Sequence, residues 1–319
     1  VRQRATVSRP ALIINPWSGD GKAAAVGLTE AAEQAGVRTI VLQKGDDLAQ
    51  LAEDAIADGA DAIGMAGGDG SLGVVAAVAI ARNVPFFCIP VGTRNHFALD
   101  IGLDRDDPVT ALRAISDGDE ILVDHAVAGD RAFLNNVSFG VYAQAIQEDG
   151  YREHKEDSLA KVLAEVAADP ANQAALRYST PDGKQHDRAP LVLISNNPYT
   201  FSGPPDFGRR TRMDSGQLGI KAVTRLPEVA GAAAALFGET HDHYEWDAVE
   251  YRIESDDPIL AGLDGEALTF ASPLVISSRP KSLRMLVPHG TRPGYVPHGE
   301  AITARLLDLA NLGAASDGE

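Results

Sequence analysis

Gly67-Gly68-Asp69-Gly70-Ser71 lies between an apolar run, Ala62 to Ala66, and an apolar helical pattern from Leu72 to Ala81. Glycines in that position let phosphate oxygens approach backbone N–H groups at a helix N-terminus, where the helix dipole also favours negative charge. The Asp69 carboxylate inside the turn would repel bare phosphate, and a divalent cation between the two removes the conflict. The segment therefore predicts a metal-dependent nucleotide site. Gly68 to Gly73 also satisfies the dinucleotide fingerprint, which wants an acid about twenty residues on, at the end of the next strand. That strand ends in Ile89-Pro90-Val91-Gly92 with no acid, so phosphoryl transfer is favoured over hydride transfer.

Two further polar turns follow apolar runs. Asn15-Pro16-Trp17-Ser18-Gly19-Asp20-Gly21-Lys22 opens a helix but lacks the Walker A spacing, and a plain strand-to-helix turn explains it equally well. Pro90-Val91-Gly92-Thr93-Arg94-Asn95-His96 offers a hydroxyl, an amide and a guanidinium suited to phosphate or ribose, or else a turn into a helix capped by Thr93 or Asn95. Ala261-Gly262-Leu263-Asp264-Gly265-Glu266 places two carboxylates at a tight turn. An ordinary hairpin accounts for them, as does a general base with a metal-water anchor beside a nucleotide. His241, Asp242, His243 and Glu245 have no second cluster at zinc-like spacing and read as a solvated loop or strand edge. Tyr199 to Arg210 mixes aromatics, Pro and Gly in a loop that admits an acyl chain or tucks Phe201 and Phe207 into the core.

The elements that position these turns fall into two textures. From Ala11 to about Gly118, apolar strands alternate with amphipathic helices: Ala11–Ile14, Ala23–Ala35, Val37–Leu42, Asp47–Asp58, Ala62–Ala66, Leu72–Arg82 and Pro85–Ile89. Such alternation predicts an α/β domain with a doubly wound parallel sheet, and ligand turns at the carboxyl ends of its strands. Beyond Asp119 come strand candidates Ile121–Val127, Arg131–Val137, Leu191–Ser195, Gly219–Val223, Val249–Ile253, Leu274–Ser277 and Leu283–Val287, with Pro181–Gly183 as a turn. They predict an all-β domain, an antiparallel sandwich, interrupted by helices near Ser158–Ala168 and Glu228–Phe237 and followed by a helix at Ala301–Leu312. The expected division is a nucleotide-binding domain over 1–121 and a substrate domain over 122–287, with 288–319 returning to the first.

The 319 residues carry a formal charge of −17, which opposes nucleic acid and leaves no polybasic patch for anionic lipid. A single cysteine, Cys88, in an apolar run fits a reducing cytoplasm and a buried role. The sequence predicts neither signal peptide nor transmembrane helix, so the expected location is cytoplasmic, with transient peripheral contact at the inner face of the membrane. Edge strands of the antiparallel domain offer a surface for a homodimer.

Asn15-Pro16-x-Ser18-Gly19, Gly67-Gly68-Asp69-Gly70-Ser71, Pro90-x-Gly92-Thr93-x-Asn95 and Asp264-Gly265-Glu266, in that order, resemble the soluble diacylglycerol kinase and sphingosine kinase family, a distant relative of NAD kinases and phosphofructokinases. The resemblance spans Ala11 to about Pro288. It implies an ATP-dependent lipid kinase that uses Mg²⁺ and binds ATP in the cleft between the domains. The acceptor it implies is diacylglycerol, giving phosphatidic acid, then a long-chain base. NAD kinase and a catalytically silent lipid or nucleotide sensor are the other readings. By matched position, Asn15, Pro16, Trp17, Ser18, Gly19, Gly67, Gly68, Asp69, Gly70, Ser71, Thr93 and Asn95 would contact ATP. Asp69 and Asp124 would hold magnesium through water, and Asp264, assisted by Glu266, would take the acceptor's proton. Three departures stand out: His96 replaces an acid, Ser71 replaces Thr, and Met213-Asp214-Ser215-Gly216 lacks the acid of a structural magnesium site found in some members.

Overall fold

The computed structural model describes residues 3–4, 6–148, 155–200, 209–225 and 243–294. The apolar runs of the first half form parallel strands Pro10–Ile14, Arg38–Val41, Ala62–Gly67 and Phe86–Pro90, in the spatial order 38–41, 10–14, 62–67, 86–90. All but the first in that order are buried throughout, as continuous apolar runs in a sheet covered on both faces require. The order reverses at Pro10–Ile14, so the turns after this strand and after Ala62–Gly67 lead to opposite faces and leave a crevice at the carboxyl ends. Helix Leu48–Ala57 begins where the Asp47 carboxylate accepts the N–H groups of Ala49 and Gln50. The segment expected as one helix over Ala23–Ala35 is two, Lys22–Ala25 and Leu28–Gln34.

The second half carries a six-stranded antiparallel sheet in the order 243–248, 218–223, 191–196, 136–140, 259–263, 266–270. Its inner face packs Val192, Ile194, Ile220 and Ala261 against Phe133, Ile253, Leu274 and Ile276 of the facing layer. Helices Val141–Gln147 and Lys155–Ala168 cover part of its outer face around Val141, Ile146, Leu163, Leu191 and Val223.

A ribbon of two long antiparallel strands, Gly118–Ala128 and Leu274–Pro288, runs through both halves. The two segments expected at Leu274–Ser277 and Leu283–Val287 are one strand, kinked by an irregularity between Arg279 and Leu283. Its far end lies parallel to Phe86–Pro90, with Met285 opposite Phe86. Ile121, Val123, Leu283 and Met285 belong to the core of the first half, whereas Ala126, Ala128, Leu274 and Ile276 belong to that of the second. Beyond the strand, His289 N–H donates to Asp117 O and Gly294 N–H to Asp100 O, both in the first half. The helices expected at Glu228–Phe237 and Ala301–Leu312 lie outside the described residues.

The strand expected over Arg131–Val137 is also divided, into Arg131–Phe133 in one sheet and Asn136–Gly140 in the other. The break has a physical cause: the N–H groups of Leu134, Asn135 and Asn136 all point at one carboxylate, that of Asp264.

Packing in the first half is tight enough to test. A Cβ added at Gly64 would lie 2.3 Å from the buried Phe87 ring. Gly64→Ala is expected to cost about 1–3 kcal/mol of stability, read as a lower urea midpoint. An unchanged midpoint would mean that Phe87 yields freely.

Candidate active site

Three turns meet at the crevice. Asn15 N–H donates to Ala66 O, and the Asn15 carboxamide accepts Trp17 N–H at 3.0 Å, folding the first turn back on itself. A Cβ at Gly19 would stand 2.2 Å from Val91 O, and one at Gly92 would stand 2.4 Å from the Gly68 Cα. The backbones of the first, third and second turns are therefore in contact, and no side chain fits between them. Asn95 is fully buried at positive φ and closes the third turn, accepting Gly92 N–H at 3.0 Å and donating to Gly92 O. Thr93 and Trp17 are exposed, and Pro16, Ser18 and Ser71 are half-buried.

The glycine segment is less of a loop than its composition implies. Gly67 ends the strand, Gly68 is the N-cap, and the helix runs from Asp69 to Arg82, three residues earlier than the apolar pattern indicated. No side chain caps this helix. Asp69 reaches sideways instead, accepting His96 N–H, Phe97 N–H and the Asn135 Nδ2 amide, each at 3.1 Å. Its carboxylate thus caps the helix His96–Ile101, whose own N-cap residue Asn95 is engaged with Gly92.

Asp264 and Gly265, both at positive φ, form the two-residue turn between strands Ile259–Leu263 and Glu266–Phe270, as Asp-Gly between strands predicts. The hairpin reading holds, and the turn carries both carboxylates. Asp264 N–H donates to Asn136 O at 2.9 Å, and the carboxylate accepts Leu134, Asn135 and Asn136 N–H at 2.8, 2.8 and 3.0 Å. Burial pushes its pKa up to about 6 against the pull of those three amides, and the Asp69 charge adds to the rise. The turn lies over the helix Asp69–Arg82. A Cβ at Gly73 would be 3.4 Å from Asp264 Oδ2, and one at Gly70 would be 3.3 Å from Glu266 Oε1. Carboxylates from the two halves therefore share one crevice at a helix N-terminus.

Several residues that hold this arrangement were not singled out by the sequence. Arg210 is fully buried: Nε donates to Asp100 Oδ2 at 2.6 Å, Nη1 to Leu134 O and Asn196 O, and Nη2 to Asn135 Oδ1 at 2.6 Å. Its guanidinium stands 5.6 Å from the centroid of the Tyr199 ring. Asn135-Asn136 did leave a sign in the sequence, two amides inside the apolar run Phe133 to Phe139. Arg210 and Tyr199 bound the segment considered for an acyl chain, of which 201–208 lie outside the described residues, as do His241 and Asp242. His243 and Glu245 sit on an edge strand, His243–Ala248.

The donor sets indicate how a magnesium ion could be held. Among the described residues no group of three acidic, histidine or cysteine side chains could bind a metal alone. Asp69 keeps unused lone-pair capacity, since Oδ1 accepts two donors and Oδ2 one, which suits contact through water rather than direct ligation. Asp124 has no exposed surface, and its two oxygens accept Gly216 N–H and Lys281 N–H at 2.7 Å each, bracing the ribbon at its kink. The Ser215 hydroxyl and N–H both bond Asn197 Oδ1, while Asp214 pairs with Arg212 on the surface.

Residues 9–128 match the family described as the diacylglycerol kinase catalytic domain. A diacylglycerol kinase of Mycobacterium tuberculosis is 32% identical over 120 residues, 36% of this chain, and the matched stretch spans only 39% of that relative. A Pseudomonas aeruginosa protein named "probable lipid kinase YegS-like" is 27% identical over 288 residues, covering 85% of this chain and 90% of its own. A crystal structure titled as a diacylglycerol kinase, from Bacillus anthracis, superposes with a TM-score of 0.63 over 90% of this chain and 99% of its own. At 19% identity that likeness is one of fold, the same pairing of a helix-covered mixed sheet with an antiparallel domain. The sequence matches thus meet the resemblance carried by the motifs, and the superposition meets the expected fold.

Two expectations follow from the geometry. Arg210→Met strands the Asp100 carboxylate and two main-chain carbonyls, and should cost about 3–5 kcal/mol, measured by urea unfolding. In metal- and nucleotide-free protein, a carboxyl resonance should titrate at about pH 6 and vanish in Asp264→Asn. Because this pKa is raised on folding, the stability linked to Asp264 is greatest below the ordinary carboxyl range and declines as pH rises through 6.

Proposed function

We propose that this protein is an ATP-dependent lipid kinase that transfers the γ-phosphoryl group to a lipid hydroxyl, with diacylglycerol, giving phosphatidic acid, as the first acceptor. The observation that carries the reading is the meeting of Asp69 and Asp264, from opposite halves, over the uncapped N-terminus of the helix Asp69–Arg82. The matches to diacylglycerol and lipid kinases support it.

In this reading ATP lies against the three touching turns. Asn15 to Gly19, Gly67 to Ser71, Thr93 and Asn95 surround its phosphates, with main-chain N–H groups and the helix dipole as the main attraction. Asp69 would hold a magnesium ion through water, and the ion would supply positive charge to the phosphates. Asp264 accepts the proton of the acceptor hydroxyl. The freed oxygen bonds to the γ-phosphorus, the bond to the β-bridging oxygen breaks, and ADP leaves with that electron pair. At neutral pH a carboxyl titrating near 6 is ionised yet basic enough for this role. Glu266, on the same turn, faces Gly70, and in this reading it would order water near the phosphates. Little covalent chemistry falls to the protein, so positioning dominates.

The described residues contain no helix long and apolar enough to cross a membrane, and we propose transient docking at the bilayer to collect the acceptor.

Asp264→Asn keeps the shape and tolerates the positive φ but turns one acceptor oxygen toward a main-chain N–H as an amide donor, so its fold is checked by circular dichroism beside the assay. It is expected to lower turnover by about 10²–10⁴-fold while leaving ATP affinity nearly unchanged, in a radiolabelled ATP transfer assay with extracted lipids and a parallel nucleotide-binding measurement. A variant with near-normal turnover would remove Asp264 from the base role.

A further inference from the structure

Asn135 stands at the bend between strands Arg131–Phe133 and Asn136–Gly140, almost wholly buried, and it touches both acids. Its main-chain N–H donates to Asp264 Oδ1 at 2.8 Å, and its side-chain Nδ2 donates to Asp69 Oδ1 at 3.1 Å. Its Oδ1 accepts Arg210 Nη2 at 2.6 Å. A guanidinium carries donors only, so the carboxamide must turn its oxygen to Arg210 and its nitrogen to Asp69.

These bonds close a circuit through both halves. Asp69 accepts the N–H groups of His96 and Phe97 at the start of helix His96–Ile101, and Asp100 of the same helix accepts Arg210 Nε at 2.6 Å. Arg210 then returns to Asn135. Each acid is also held within its own half, Asp69 by the two helix amides and Asp264 by Leu134 and Asn136 N–H. Those local bonds orient each carboxylate separately, and the Asn135 side chain joins one to the other.

We propose that Asn135 is a positioning residue for phosphoryl transfer: its carboxamide, oriented by Arg210, holds Asp69 and Asp264 at the spacing that brings the acceptor oxygen in line with the γ-phosphorus. The inference rests on the kinase reading and deepens it. In that reading the nucleotide lies with the half that carries Asp69 and the acceptor hydroxyl with the half that carries Asp264. The reacting distance is then set by the registry of the halves, and an error of about 1 Å costs about 10²-fold in rate. A residue needed only to satisfy Arg210 would behave differently. Asn135→Asp keeps an acceptor for Arg210 but removes the donor to Asp69, so a merely structural role tolerates it and a positioning role does not.

The test uses the full chain, radiolabelled ATP and extracted lipids, with circular dichroism and nucleotide binding measured in parallel. Asn135→Ala and Asn135→Asp are each expected to fold and to lower kcat by about 10–100-fold, with KM for ATP nearly unchanged. Added to Asp264→Asn, Asn135→Ala should lower kcat little further, since there is no base left to align. A folded variant with unchanged kcat, a loss confined to KM, full multiplication of the two losses, or failure of both Asn135 variants to fold would overturn the positioning role. Each of these leaves the kinase reading standing, because the unsubstituted chain still transfers phosphate. Transfer by the unsubstituted chain to none of the extracted lipids would overturn both.

Discussion

Two carboxylates that repel one another share one crevice, and Asn135 lies between them and donates to both. Its main-chain N–H bonds Asp264, its side-chain amide bonds Asp69, and its side-chain oxygen accepts Arg210 Nη2. The last bond settles which way the amide faces. Arg210 is itself held by Asp100 from the first half and by the carbonyls of Leu134 and Asn196 from the second. A buried guanidinium is tolerable only with its donors matched, so the fork admits one relative placement of these partners. The spacing of the acids follows from that placement.

Contact among the three turns adds a second constraint. Gly19 against Val91 and Gly92 against Gly68 bring main chain onto main chain, which concentrates N–H dipoles in a small region and excludes side chains from it. Glu266 and Asp264 lie on the same helix face, 3.3 Å from a Cβ built at Gly70 and 3.4 Å from one built at Gly73. A surface built this way suits a ligand whose own bulk and charge complete the packing.

Much of this was legible in the sequence. Continuous apolar runs marked the parallel strands, and Asp264-Gly265 marked its hairpin, because both depend on local chemistry. The start of the helix at Asp69 was hidden, since glycine flanking an acid signals turn more than helix, and the aspartate caps a different helix from the one it begins. The division of the strand at Leu134 was hidden for a related reason. Amides that point at a carboxylate more than a hundred residues later leave no periodic trace. Arg210 illustrates the limit most directly: an arginine in a loop-like composition gives no hint of a partner 110 residues away.

The ribbon of Gly118–Ala128 and Leu274–Pro288 has consequences for how the molecule can be rearranged. Each strand contributes side chains to both cores, so neither half is bounded by a linker that could be cut or lengthened. The halves cannot serve as interchangeable cassettes between relatives, since a graft made at any point would divide a hydrogen-bonded pair of strands. Any rocking of one half on the other must also twist that ribbon, whose register is irregular only between Arg279 and Leu283.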